Sequence, residues 1–154
     1  MCKPANFLYS RSLEIKAPAD KIFPLINDFK EWVKWSPYEK KDLNMSKEFS
    51  GSQSGVGAKY AWSGKKSGVG KMEIVESASP IKINIKLSFT KPMKAENDAL
   101  FMLESLGETT KVTWTMSGQQ PMIARFIGMF INMDKLIAKD FEAGLKNLAA
   151  EVEA

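Results

Sequence analysis

Between residues 121 and 152 the apolar side chains recur in steps of three and four: Met122, Phe126, Met129, Phe130, Met133, Ile137, Phe141, Leu145, Leu148 and Val152. Such spacing draws one stripe along a helix, with Lys135, Lys139, Glu142 and Lys146 largely off it. Pro121 suits the first turn, where its missing N–H would have had no partner anyway. At 1.5 Å per residue such a helix would be roughly 40 Å long. A stripe of that length needs a broad partner surface, and upstream the chain offers alternating strands.

The first strand sets Phe7, Tyr9, Arg11, Leu13 and Ile15 on one side and Leu8, Ser10, Ser12 and Glu14 on the other. Arg11 is then either a rim residue or a buried cation with a carboxylate partner. Ala17-Pro18-Ala19-Asp20 breaks this strand, and Ile22, Phe23, Leu25, Ile26 and Phe29 predict a short amphipathic helix in which Pro24 belongs to the first turn. A second helical piece over 29–33 leads into a dense aromatic segment with Trp32, Trp35, Pro37 and Tyr38. Loops carry binding groups more often than core, so this segment reads as a lid over the core, the wall of a pocket, or both.

Period-two patterns predict further strands over 45–50, 58–63, around Met72, Ile74 and Glu76, then 81–89, 97–105 and 111–116. The cleanest sets Ile81, Ile83, Ile85, Leu87 and Phe89 against Lys82, Asn84, Lys86 and Ser88. In the next, Leu100 and Met102 leave the second face apolar as well, a candidate contact for a neighbouring segment or partner. Short glycine-rich turns join the strands, which implies one strongly bent antiparallel sheet of seven strands gripping the long helix. The order is β-α-α-β-β-β-β-β-β-α, an α+β chain without repeats or linker, so a single domain over 1–154.

Composition narrows the chemistry. With 154 residues, 44% hydrophobic and 26% charged, the chain is long enough to bury a core without cross-links. No apolar run approaches the eighteen residues of a membrane span. The opening MCKPANFLYS lacks the features of a secretion signal, so a cytoplasmic location is expected, or a membrane-associated one where an anchor precedes it. Cys2 is the lone cysteine, which removes internal disulfides and thiolate clusters. The net charge of +4 comes from lysines spread along the chain with only Arg11 and Arg125 beside them. That pattern argues against nucleic-acid binding and allows weak contact with an anionic membrane surface. The oligomeric expectation is a monomer or homodimer.

Histidine is absent. Histidine-based triads, histidine general bases and nearly every zinc site are thereby excluded, and neither metal nor cofactor is expected. Glycines 55 and 57 precede a strand and lack a Gly-Lys-Ser/Thr ending, so they form no phosphate loop.

What remains is an interior rich in aromatic and methionine side chains, with few inward polar groups: Tyr60, the indoles of Trp62 and Trp114, Glu76, Asn132 and Arg11. Nine methionines suit a surface that adapts to variable apolar shapes, and equally a plain core. An apolar face with a few directed polar groups is what a small-molecule site requires. The candidate lining is Trp35, Tyr38, Tyr60, Trp62, Met72, Ile85, Trp114, Met129 and Met133, with entrance loops near 32–38 and 91–94. Catalysis has only weak candidates, Glu76 by strand parity and Tyr60. Glu39, Glu73, Asp98, Glu104 and Asp134 show no defensible pairing.

Several stretches, in order, resemble one family. They are Ile15-Lys16-Ala17-Pro18-Ala19-Asp20-Lys21-Ile22-Phe23 entering the first helix, Ile26-Asn27-Asp28-Phe29, and Trp32, Trp35, Ser36 and Pro37. Gly55-Val56-Gly57 before Tyr60-Ala61-Trp62, the strand from Lys111 to Trp114 ending at Gly118, and Phe141-Glu142-Ala143-Gly144-Leu145 follow. From about Arg11 to Glu151 the chain resembles the START-like, Bet v 1-like helix-grip superfamily (SRPBCC), known for polyketide cyclase/dehydrase and lipid-transport proteins. The resemblance implies a curved sheet around a C-terminal helix enclosing a hydrophobic cavity for lipids, polyketides or isoprenoid-like molecules. Nearly all matching positions are scaffold, and no cyclase catalytic set carries over. The first expectation is therefore binding or transport of a hydrophobic small molecule without covalent chemistry. A cyclase or dehydratase using a buried carboxylate or tyrosine is the alternative, and a protein-interaction or stress-response module is the third.

Overall fold

A computed structural model describes residues 6–39, 44–65, 68–91, 95–119 and 133–153. Strand β1 (Asn6–Ile15) is followed by helix α1 (Ala19–Asn27) and two 3-10 turns, Phe29–Lys34 and Pro37–Glu39. Then come β2 (Ser46–Gly51), β3 (Ala58–Gly64), β4 (Gly68–Ala78), β5 (Lys82–Lys91), β6 (Ala95–Ser105), β7 (Thr110–Gln119) and helix α2 (Met133–Glu153). All seven strands form one antiparallel sheet ordered β1-β7-β6-β5-β4-β3-β2, so β1 crosses from the start of the chain to pair with the last strand.

Register turns the alternating pattern into rows running across the concave face. One row is Leu13–Val112–Leu103 and the next Arg11–Trp114–Phe101–Ile83–Ser77. Then follow Tyr9–Met116–Ala99–Ile85–Ile74 and, one step further, Gly118–Asn97–Leu87–Met72–Tyr60–Phe49. Phe89–Gly70–Trp62–Lys47 lies beyond.

The first rows are filled by α1, the 3-10 turns and α2, which packs chiefly along β1. From its stripe Phe141, Leu145, Leu148 and Ala149 are buried and Val152 half-buried. Phe141 stacks on Trp114 with ring centroids 4.0 Å apart and planes 9° from parallel, and Phe101 stacks behind at 5.0 Å. Trp32 and Trp35 close edge-on against Phe101 and Trp114. Their indole N–H groups donate to the carbonyls of Ile26 and Leu25, both at 2.8 Å. These are last-turn carbonyls of α1 that have no helical partner of their own, so the aromatic segment caps one helix while filling the space under the other.

Three expectations are corrected, and Arg11 takes the first of its two expected places. Pro24 is the sixth residue of α1, not part of its first turn. The N–H it lacks would have served the carbonyl of Asp20, and burial of Ile22, Phe23 and Ile26 holds the helix without that bond. Glu76 does not face inward, because Ile74 pairs with Ile85 while Glu76 pairs with Asn84, leaving Val75 as an extra, bulged residue. The bulge shifts the parity, so Val75 and Glu76 are exposed and Ser77 points in, its hydroxyl donating to Asn27 Oδ1 at 2.8 Å. Ile81 precedes β5 and is 53% exposed. Arg11 is a rim residue, exposed and paired with Glu142 of α2 at 3.3 Å. The expected N-terminal half of the long helix, with Met122, Phe126, Met129, Phe130 and Asn132, lies outside the described residues.

Candidate functional site

Seven of the nine predicted lining residues separate into two groups. Trp35 and Trp114 are fully enclosed in the aromatic stack, and Ile85 is equally buried in the row behind it. Tyr38, half-buried, meets Trp114 edge-on at 6.3 Å. Burial first and the nearby Asp140 carboxylate second raise its phenol well above the ordinary range. These four belong to a packed layer with stacked and edge-to-face rings, which is how aromatic core is held.

Tyr60, Trp62 and Met72 are brought together elsewhere, on the rows toward β2. Tyr60 and Trp62 lie 5.9 Å apart and Phe89 closes on Trp62 at 5.7 Å. A Cβ on Gly70 would stand 2.5 Å from Trp62 Cζ2, so glycine is what lets the indole lie across β4. Met72, Leu87 and Asn97 continue the Tyr60 row, while Trp62, Phe89 and Met116 are only half-buried. The face is thus mainly apolar and aromatic at one side, buried along the row from Tyr60 to Asn97 and partly exposed at Trp62, Phe89 and Met116. Met129 lies outside the described residues, and Met133 is the first residue of α2.

Two polar positions on this face escaped the sequence reading. Glu39, only 7% exposed, ends the second 3-10 turn. Its Oε2 accepts from the Tyr60 hydroxyl at 3.1 Å and from Lys47 Nζ at 2.6 Å. Burial, then the Glu39 charge, keeps the Tyr60 phenol protonated far above the usual tyrosine range. Glu39 sits in an irregular segment with no periodic signal, and its partners are eight and twenty-one residues away. The other position is Asn97, 8% exposed and inward-facing. Extending the Ala99–Phe101–Leu103 parity back by two residues would have found it.

Glu76, the carboxylate candidate, is paired with Lys82 at 3.0 Å on the outer surface. On the convex side, behind Trp62, a solvent-open groove of about 470 Å³ is lined by Ser46, Glu48, Ser63, Lys71, Ser88 and Thr90 among others. Lys47 and Lys71 stand around it together with Ala61, Trp62, Val69 and Gly70, so its wall mixes polar groups with apolar surface. Leu100 is half-buried and Met102 exposed on that convex side, but their register neighbours are Asn84, Thr115, Lys82 and Thr113, which interrupt any apolar patch. Among the described residues no cluster of three potential metal ligands occurs, and no helix is long and apolar enough to cross a membrane.

A bent antiparallel sheet closing on a C-terminal helix defines the helix-grip class. The chain belongs to the polyketide cyclase/dehydrase and lipid transport family, whose pattern it matches over residues 7–153. Among solved structures it is similar to a protein from Chromobacterium violaceum, with a TM-score of 0.70 and 18% identity over 96% of this chain and 97% of that one. It is also similar to the Aha1 dimer of Colwellia psychrerythraea, with a TM-score of 0.67 and 17% identity over 96% of each chain. A hypothetical protein of Helicobacter pylori has a TM-score of 0.73 and 12% identity over 95% of this chain and 88% of that one. At such identities these likenesses show the fold. No curated protein matches the sequence.

Proposed function

We propose that this protein binds a hydrophobic small molecule, of lipid, polyketide or isoprenoid-like character, against the concave face formed by Tyr60, Trp62, Met72, Leu87 and Phe89. The observation that carries the reading is the contrast between the two ends of the interior. One end is stacked solid by Trp35, Phe101, Trp114 and Phe141, while at the other Trp62 and Phe89 keep part of their ring surface uncovered. Family membership supports the same role. Affinity would come from apolar area removed from water, about 25 cal/mol per Å². Native mass spectrometry of freshly purified protein tests this directly, and a co-purified apolar molecule is the expected result. Absence both of such a molecule and of any binding of a neutral fluorescent apolar probe would overturn it.

A second reading, acid–base chemistry of the cyclase or dehydratase kind, is favoured by the buried Glu39–Tyr60 pair. The geometry weighs against it. Tyr60 already donates its hydrogen bond to Glu39 and resists ionisation, and Lys47 pairs with the carboxylate that a general base would need free. The trio serves better as a fixed polar wall that joins edge strand β2 to the second 3-10 turn.

A further inference from the structure

Asn97 Oδ1 is shielded from water and accepts no hydrogen bond among the described residues. A buried acceptor in that state is costly unless something donates to it. Ser36 Oγ, Asn84 Oδ1 and Trp114 Nε1 share the condition. However, Asn84 lies on the convex face, Trp114 is sandwiched between Phe101 and Phe141, and Ser36 lies between the two 3-10 turns, off the sheet. Asn97 alone of these stands in the row with Tyr60, Met72 and Leu87.

Its place is kept open by the strand beside it. A Cβ on Gly118 would stand 2.3 Å from Asn97 Oδ1 and 3.1 Å from its Cγ, so bare backbone on β7 is what admits the amide. A leucine at 97 would extend the apolar row begun by Met72 and Leu87 with no polar atom to satisfy. Among the described residues of that row, the amide oxygen is the buried side-chain polar atom left without a donor.

We infer that Asn97 is a specificity-determining residue of the concave site, its Oδ1 accepting a hydrogen bond from a hydroxyl on the bound molecule. The ligand class is therefore an apolar alcohol, preferred over the corresponding ether, ketone or hydrocarbon, and over a carboxylate, whose oxygens would meet an acceptor. This assignment rests on the binding role proposed above.

The test is displacement of the neutral probe N-phenyl-1-naphthylamine from the full chain by two isomers of nearly equal apolar surface, 1-decanol and 1-methoxynonane. The alcohol should displace the probe at about tenfold lower concentration, the ratio expected when a buried acceptor is satisfied in one complex and orphaned in the other. In Asn97→Leu the ratio should fall toward one, with near-ultraviolet circular dichroism confirming the fold. Equal displacement in the wild type, or a preference that survives in Asn97→Leu, overturns the assignment and leaves the amide to a bound water. The wild-type ratio decides the matter if the variant does not fold. If the probe does not bind, or neither isomer displaces it, the binding role fails first and the assignment falls with it.

Discussion

Tyr60 and Tyr38 illustrate how burial makes a phenol a reporter of folding. Both hold their protons beyond the ordinary value of 10.0, through burial first and a neighbouring carboxylate second. In the unfolded chain both ionise near 10.0, so above that pH the folded state holds protons that the unfolded state has released. Stability is therefore undiminished by these groups below about pH 10 and falls as pH rises past it. In an alkaline titration the tyrosinate absorbance of these two residues should appear together with loss of near-ultraviolet dichroism, not before it. Tyr60→Phe should shallow that decline while costing about 1–2 kcal/mol at neutral pH in denaturant melts, because Glu39 then loses one of its two donors in a buried place. The tyrosine was readable from strand parity; its partner was not. A carboxylate in an irregular turn announces nothing until the fold brings a strand to it.

Helix α2 carries a tighter constraint than its stripe reveals. Gly144 faces the stack, and a Cβ there would stand 2.9 Å from Trp114 Cζ3 and 3.2 Å from Pro37 Cδ. Alanine would gain about 1 kcal/mol in helix propensity, yet both neighbours are rings that cannot swing aside, and overpacking costs about 1–3 kcal/mol. Gly144→Ala should therefore lower the denaturation midpoint instead of raising it, and an unchanged or higher midpoint would contradict the packing described here. Periodicity revealed that the helix and strands exist and which faces they bury, because 3.6- and 2-residue repeats follow directly from backbone geometry. It misplaced Glu76 because a one-residue bulge at Val75 obeys no period, and it misjudged Pro24 because burial of Ile22, Phe23 and Ile26 holds that helix despite one lost backbone bond.

Across the whole interior, packing density is divided between the two ends of the sheet, and that division is testable by a pair of substitutions. Phe141→Ala removes a ring stacked at 4.0 Å on Trp114 and should cost about 3–5 kcal/mol in a denaturant melt. Trp62→Ala removes a half-buried ring and should weaken apolar probe binding severalfold while leaving the melt much less affected. A reversal of those two outcomes would mean that the uncovered rows are ordinary core. The sequence listed Trp35 and Trp114 beside Trp62 as equal candidates, since a tryptophan on an inward face looks the same whether its neighbours are rings or solvent.

The stacked layer has a consequence for how such a chain tolerates change over generations. Because Trp35, Phe101, Trp114 and Phe141 interlock at one end, substitutions at the half-buried Trp62 or Phe89 start from a scaffold held largely elsewhere. Change at those two positions can then reshape the partly exposed surface, generation by generation, while the aromatic end stays fixed.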